Sequence, residues 1–207
     1  MSLLSGLFDL AFPSRCGICG LLGDLPLCQI CRASFKIADE EIVPPEWRGA
    51  LDGVSRAYQY EGRAEQAVRR LKYSRATTLA GPMSLVLLEQ AQRVGLAEPS
   101  VVIPVPIHWT RRYYRGFNQA ELLAEALPTF DSKRVRRIRA TRPQVGLTLA
   151  ERRRNLIGAF QCSGDLSGQT VVLVDDVITT GHTVEECAKV IKASGAERVY
   201  ALAFCGG

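Results

Sequence analysis

Residues 171–183 read Val-Val-Leu-Val-Asp-Asp-Val-Ile-Thr-Thr-Gly-His-Thr. Four aliphatic residues run into the adjacent carboxylates of Asp175 and Asp176, and a turn rich in hydroxyl groups follows at 179–183. Apolar residues then recur at helical spacing, at Val184, Cys187, Ala188 and Ile191. This pattern predicts a buried strand, a polar loop and a helix. Open α/β sheets bind their ligands where such strands end.

The polar loop contains the groups that a sugar phosphate requires. Backbone N–H groups at a helix start lack intrahelical partners and attract anions. Thr179, Thr180 and Thr183 add hydroxyl donors, and Gly181 permits a tight turn. The two carboxylates would repel a phosphate, so we expect them to face sugar hydroxyls or a bound metal. These groups together describe a site for a ribose 5-phosphate. An ordinary turn with an Asp N-cap is the alternative, but a cap needs only one Asp.

Four cysteines near the N-terminus have the spacing of a metal site. Two Cys-x2-Cys pairs present four thiolates, at Cys16, Cys19, Cys28 and Cys31. Four sulfur ligands leave no open coordination position, so we predict a structural zinc site. Iron in the same sulfur geometry and a redox-active pair of cysteines are the alternatives.

The rest of the chain alternates between strand and helix patterns. The dipeptide Pro44-Pro45 marks a linker, which divides the 207 residues into a small module at 1–45 and a larger domain at 46–207. The order of elements in the larger domain predicts an α/β fold with a mainly parallel sheet flanked by helices. Strands are predicted at about 53–60, 101–106, 135–138, 159–160, 171–174 and 199–204, and helices at about 64–72, 80–94 and 120–126.

Composition and charge narrow the class of protein. The apolar start of the chain contains Asp9 and breaks at Pro13, so it fits neither a signal peptide nor a membrane span, and we expect a cytoplasmic protein. The net charge of +5 is concentrated at 111–154, where eleven arginines and one lysine face four acidic residues. Because the arginine fork fits phosphate oxygens, this favours a phosphorylated ligand or a nucleic acid over a solvated basic surface.

Residues 171–183 resemble the phosphoribosyl-diphosphate loop of the type I phosphoribosyltransferases at all thirteen positions. The family pattern is four apolar residues, two acids, two variable residues and then Thr-Thr/Ser-Gly-x-Thr. The resemblance implies that the catalytic acids Asp175 and Asp176 hold the ribose hydroxyls. It also implies that the 5-phosphate is held by the turn that follows, by Thr179, Thr180, Gly181, His182 and Thr183.

Further segments, over about residues 10–205, resemble the ComF family. They are Lys72-Tyr73, Pro104 with Pro106, Arg-Gly-Phe-Asn-Gln-Ala at 115–120, the pattern from Gln144 to Asn155, and the four N-terminal cysteines. In that family a zinc ribbon precedes a phosphoribosyltransferase-like domain, and the proteins are associated with natural competence, the uptake and handling of transforming DNA. The resemblance therefore implies a type I phosphoribosyltransferase fold with a small N-terminal zinc ribbon.

The resemblance also implies the ligand, phosphoribosyl diphosphate, together with Mg²⁺ bound to its oxygens. In the type I fold the loop after the first core strand binds the diphosphate, and here it corresponds to 106–118. A long flexible loop, here about 142–155, covers the site. Cations near these segments would neutralise the leaving diphosphate. We expect Arg115, Arg153 and Lys72 to do so.

Two functional hypotheses follow. The first is a phosphoribosyltransferase with a nitrogen acceptor, for which no segment of the sequence predicts a base pocket. The second is a non-enzymatic competence protein that uses the same fold to sense the ligand or to bind single-stranded DNA, beside other competence proteins. Aromatic and basic side chains that can stack bases and contact phosphates support the second hypothesis. They are Trp109, Arg111, Arg112, Tyr113, Tyr114, Arg115 and Phe117.

Overall fold

The computed structural model describes residues 14–23, 25–39, 47–74, 76–140 and 154–207. Its strands are β1 (Gly53–Gln59), β2 (Val101–Pro104), β3 (Val135–Arg137), β4 (Phe160–Cys162), β5 (Thr170–Ile178) and β6 (Arg198–Gly206). Its helices are α1 (Gln29–Ala33), α2 (Gly62–Tyr73), α3 (Ala80–Arg93), α4 (Trp109–Arg115), α5 (Gln119–Ala124) and α6 (His182–Ala193), with a 3₁₀ turn at Thr77–Leu79.

A four-stranded sheet in the order β1-β6-β5-β2 forms the centre of the molecule, and every pair in it is parallel. The prediction of an α/β fold with a mainly parallel sheet is confirmed. Strands β3 and β4 form a separate antiparallel pair. The segment 106–118, which was predicted to be a loop, contains the short helix α4. Both ends of this helix are set by neighbouring residues. The His108 side chain accepts a hydrogen bond from the Thr110 N–H, and Gly116 ends the helix with a φ of 89°.

The end of β2 determines where the sheet opens. The ladder between β2 and β5 stops with Pro104 opposite Val174, and one further hydrogen bond joins the Val105 N–H to the Val174 carbonyl. Pro106 has no N–H to continue the ladder. Strand β5 continues to Ile178 beside β6, so Asp175 is the first residue of β5 beyond its pairing with β2. The carboxyl edge of the sheet is therefore stepped at the acid pair.

Alternate residues of the strands fill two buried clusters, one on each face of the sheet. Val172, Val174 and Phe204 belong to the cluster that also contains the buried faces of α2 and α3. Leu173 and Ala203 belong to the cluster that contains the buried face of α6. Both faces of the sheet are covered, as expected for a parallel sheet.

The cysteine module packs on the first of these clusters. Phe35 meets Tyr58 and Phe204 edge to face, with ring centroids 4.9 and 5.8 Å away. Gly17 approaches the Leu79 side chain so closely that a Cβ there would lie 2.7 Å from Leu79 Cγ. The predicted domain boundary between residues 45 and 46 lies outside the described residues. On either side of it, the module and the domain share one hydrophobic core.

We predict that Phe204→Ala lowers the free energy of unfolding by about 3–5 kcal/mol, because it leaves a cavity where the sheet packs against Phe35 of the cysteine module. Chemical denaturation measures this value. Tyr113→Ala, which removes a ring that is 80% exposed, is the control and should change the free energy by less than about 0.5 kcal/mol. Equal effects of the two changes would contradict the packing described for Phe204.

Candidate functional site

A cleft of about 740 Å³ opens at the stepped carboxyl edge of the sheet. It is bounded by the ends of β2 and β5, the last turn of α2, and helices α4 and α5. Its polar lining residues are Lys72, Tyr73, Arg111, Tyr114, Arg115, Asn118, Gln119, Arg137, Asp175, Asp176 and Thr183. The cleft thus combines the predicted acid pair with four cationic side chains.

The acid pair lies at the floor of the cleft. Asp175 is half-buried, and its Oδ1 accepts a hydrogen bond of 2.8 Å from the Asp176 N–H. Asp176 is 5% exposed, and its Oδ2 lies 2.6 Å from Lys72 Nζ. These two contacts use Oδ1 of Asp175 and Oδ2 of Asp176.

Burial and neighbouring charges act together on these groups. Burial raises the pKa of Asp175 well above its ordinary value, and the negative charge of Asp176 raises it further. For Lys72, burial on its own would lower the pKa, but the carboxylates of Asp176 and Asp175 outweigh it, so the pKa is raised. Lys72 therefore stays protonated and balances part of the negative charge of the pair.

Three arginines also line the cleft and supply it with positive charge. Arg115, at the end of α4, lies 5.7 Å from the centre of the Tyr73 ring, and Arg137 lies 5.3 Å from the centre of the Phe160 ring. Burial lowers the pKa of Arg115 and of Arg137, and the charge of Arg111 lowers that of Arg137 further. Like charges close enough to affect each other's pKa favour an anion between them.

The predicted 5-phosphate turn is only partly directed into the cleft. Thr183 lines it, whereas Thr179 is exposed and Thr180 is half-buried outside the lining. The side chain of His182 is buried, 8% exposed, and its Nδ1 lies 3.6 Å from Glu185 Oε2. It therefore packs within α6 and does not line the cleft.

Gly181 is the N-cap of α6, and its backbone conformation requires glycine. Its φ is 65°, and a Cβ on it would lie 1.9 Å from Cζ2 of Trp47. The Trp47 ring, itself 5% exposed, therefore rests against the start of the helix. Sequence reasoning missed Trp47, because nothing local links it to a turn that is so distant in the chain.

The structure brings five of the ten predicted ligand residues together in the cleft. Asp175, Asp176, Lys72, Arg115 and Thr183 all line the cleft. Arg153 and most of the predicted covering loop lie outside the described residues. Arg111 and Asn118 lie in the segment 106–118 that was expected to bind the diphosphate, without being singled out, and Gln119 and Arg137 were not assigned to the site. The run of cations at 133–139 pointed to arginines on this strand without deciding whether they face the ligand or solvent.

The four N-terminal cysteines form a cluster, as predicted. Their Sγ atoms all lie within 4.8 Å of one another, with 3.7 Å between Cys16 and Cys31 and 3.7 Å between Cys19 and Cys28. Tetrahedral zinc with Zn–S bonds of ~2.3 Å places its sulfurs about 3.8 Å apart, so the spacing fits zinc. The Arg63 guanidinium donates to Cys31 Sγ at 3.1 Å, which ties the cluster to α2.

The thiol environment also favours a bound cation. Burial raises the pKa of Cys16, but N–H groups of Cys28, Cys19 and Ile18 lower it to about 6. Burial and the other three thiols raise the pKa of Cys31 to about 12. One thiolate forms readily while another is opposed by its neighbours, so four thiolates together require a cation among them.

An aromatic rim consists of Tyr73, at the end of α2, and of Trp109, Tyr113 and Tyr114 on α4. These four side chains are between 70% and 80% exposed. Tyr73 and Tyr114 also line the cleft, and the Tyr113 and Tyr114 rings meet edge to face with centroids 5.7 Å apart. Large rings so exposed beside arginines form a surface on which flat, anionic molecules can stack.

Comparison with known proteins gives consistent results. Residues 113–207 match the family model of the phosphoribosyl transferase domain. "DNA utilization protein YhgH" of Salmonella typhi is 34% identical over 202 residues, which is 93% of this chain and 84% of that protein. "Competence protein F" of Haemophilus influenzae is 36% identical over 131 residues, 59% of this chain and 57% of that protein.

A solved structure, phosphoribosylpyrophosphate synthetase from Mycobacterium smegmatis, is 21% identical with a TM-score of 0.36 and covers 60% of this chain and 33% of that chain. This likeness is too low to support an argument about function. Among the helices in the described parts of the chain, none has the length and apolar character that crossing a membrane needs.

We predict one zinc atom per chain in the purified protein, measured by elemental mass spectrometry. Cys31→Ser should bring zinc close to zero and lower the melting temperature, because the module folds around the metal. The control is Cys162→Ser, which changes a cysteine outside the cluster. Iron in place of zinc, or full zinc retention in Cys31→Ser, would contradict this assignment.

Proposed function

The chain belongs to the ComF family, and from this premise we propose that it binds phosphoribosyl diphosphate at Asp175 and Asp176 and acts in the use of incoming DNA. The observation that carries the proposal is the acid pair at the floor of a cationic cleft, with Thr183 of the phosphate turn beside it. The relatives' names, which refer to DNA utilization and competence, support the second half of the proposal.

The charges in the cleft support the orientation of the ligand. Each carboxylate offers one oxygen to a ribose hydroxyl, and bonds of this charged kind are the strong ones. Thr183 and the start of α6 would receive the 5-phosphate. Arg115 would receive the diphosphate, and we add Arg111 and Arg137 because they line the same cleft as the acids. Lys72 can reach the diphosphate only by leaving Asp176.

The first candidate activity is phosphoribosyl transfer. A nitrogen nucleophile would form a bond to C1 of the ribose while the bond from C1 to the diphosphate oxygen breaks, and the electron pair leaves with the diphosphate. Arg111, Arg115 and Arg137 would stabilise the charge that develops on this leaving group. Magnesium, when bound through the ligand's oxygens, would supply further charge neutralisation.

The cysteine module would serve as a structural zinc ribbon. Arg63 and Phe35 join it to α2 and the sheet, so the metal supports the wall of the cleft from the outside. Four thiolates remain available for zinc only in a reducing compartment, and on that ground we place the protein in the cytoplasm.

The aromatic rim favours a second candidate function, the binding of single-stranded DNA without chemistry. Exposed rings beside Arg111 and Arg115 can stack bases while the guanidinium groups contact phosphates. Pyrophosphate release with a panel of nitrogen bases would establish transfer. Ligand binding without release from any of them would favour the non-enzymatic function.

We predict that Asp175→Asn with Asp176→Asn weakens the binding of magnesium phosphoribosyl diphosphate by about 100-fold or more, because two charged acceptors are lost. Isothermal titration calorimetry measures the change, and zinc content serves as a check of the fold. Asp165→Asn, an exposed aspartate elsewhere, is the control and should bind as the wild type does. Unchanged affinity in the double variant would refute the assignment of the site.

For DNA, we predict that the affinity for an oligothymidine strand falls linearly with salt on a log–log plot, because arginine contacts release counterions. Fluorescence anisotropy measures it. Trp109→Ala with Tyr114→Ala should cost about 1–3 kcal/mol for each stacked base. Leu85→Ala, which truncates an exposed side chain on α3, should have no effect. A salt-independent affinity, or equal effects of the two variants, would remove the rim as the DNA surface.

A further inference from the structure

Lys72 occupies the position at the acid pair where a metal ion would be expected. Its Nζ lies 2.6 Å from Asp176 Oδ2, and the two side chains are only 21% and 7% exposed. The position of Lys72 is fixed by a well-packed element, since Lys72 lies in the last turn of α2. The buried face of that helix, Ala64, Ala67, Val68 and Leu71, packs in the core.

Adjacent carboxylates are hard oxygen ligands of the type that magnesium and manganese bind. In this chain a divalent ion could take Asp176 Oδ2 only by displacing an ammonium group from a mostly buried contact. The charge of Arg115 also acts on Asp176, and that of Arg137 acts on Asp175. The potential at the acids therefore opposes a free dication before any anionic ligand is bound.

We propose that Lys72 is the built-in counter-ion of the acid pair and excludes divalent cations from it, so that a metal enters the cleft only on the diphosphate of the ligand. The proposal builds on the proposed function, in which this pair is the sugar site. It makes Lys72 a positioning residue that acts through Asp176. The expected diphosphate contact of Lys72 is thereby replaced by a contact with the acids.

Two consequences distinguish this arrangement from direct metal coordination. The wild-type protein should have no manganese site that depends on Asp175 and Asp176, because Lys72 holds one of their oxygens. Removal of the ammonium group should create such a site, because the two carboxylates would then lack their cation. An arginine at position 72 should keep the site closed, because it keeps the positive charge.

Manganese binding to the zinc-loaded full chain, without phosphoribosyl diphosphate, tests the proposal. Electron paramagnetic resonance follows free Mn²⁺ through its six-line spectrum. Lys72→Met, which keeps the length of the side chain without its charge, should gain an acid-dependent Mn²⁺ site at least about tenfold tighter than any residual Mn²⁺ binding of the wild type. The added site should disappear when Asp175→Asn and Asp176→Asn are combined with it. Lys72→Arg should match the wild type.

Lys36→Met is the matched control, because it removes a lysine that pairs with Glu61 at 2.5 Å on the surface. It should not change manganese binding. The proposal is overturned if Lys72→Met gains no acid-dependent site, or if the wild type already has one. Should Lys72→Met fail to fold by circular dichroism, a manganese site of the wild type that disappears in the double asparagine variant would still overturn the proposal. The manganese experiment contains no phosphoribosyl diphosphate, so its result does not depend on whether the protein binds that ligand. Calorimetry with the ligand tests the proposed function separately.

Discussion

The site depends on the step between β2 and β5. The ladder ends at Pro104 and Val174, because Pro106 cannot donate a hydrogen bond, while β5 continues along β6. Asp175 and Asp176 therefore project at an edge where the neighbouring strand has already left the sheet. The chain that leaves β2 turns into α4 and α5, and these helices contribute Arg111, Arg115 and Gln119 to the lining of the cleft. A continuous ladder would have closed the cleft with backbone.

The second constraint is electrostatic. Two carboxylates side by side in a half-buried place repel each other, and burial alone would favour protonation of Asp175. Lys72, on α2, opposes this rise in the pKa without cancelling it, and three arginines line the same cleft. The result is an acid pair that keeps acceptor oxygens for neutral hydroxyl donors, surrounded by cations suited to an anion. This separation of charge is what a sugar carrying phosphates requires.

Much of this could be predicted from the sequence, since the relevant patterns are local. The strand, acids and turn at 171–183 are consecutive in the chain, and the two cysteine pairs lie within one short segment. Local patterns were therefore enough to predict the fold class and the cysteine cluster. The contacts of Lys72 with Asp176 and of Trp47 with Gly181 join distant segments, and only the packed chain determines them. Helix α4 was missed even though Gly116 supplied an ordinary helix stop, because the resemblance to the type I fold assigned this segment to the diphosphate loop.

The cysteine module adds support to one wall of the cleft, since its core is continuous with that of α2 and α3. The central claim nevertheless concerns the acid pair. Crystals of the protein soaked with phosphoribosyl diphosphate and magnesium test it most directly. The account predicts density for the ribose against Asp175 and Asp176 and for the 5-phosphate beside Thr183. Ligand density elsewhere on the molecule, with the cleft holding only solvent, would contradict it.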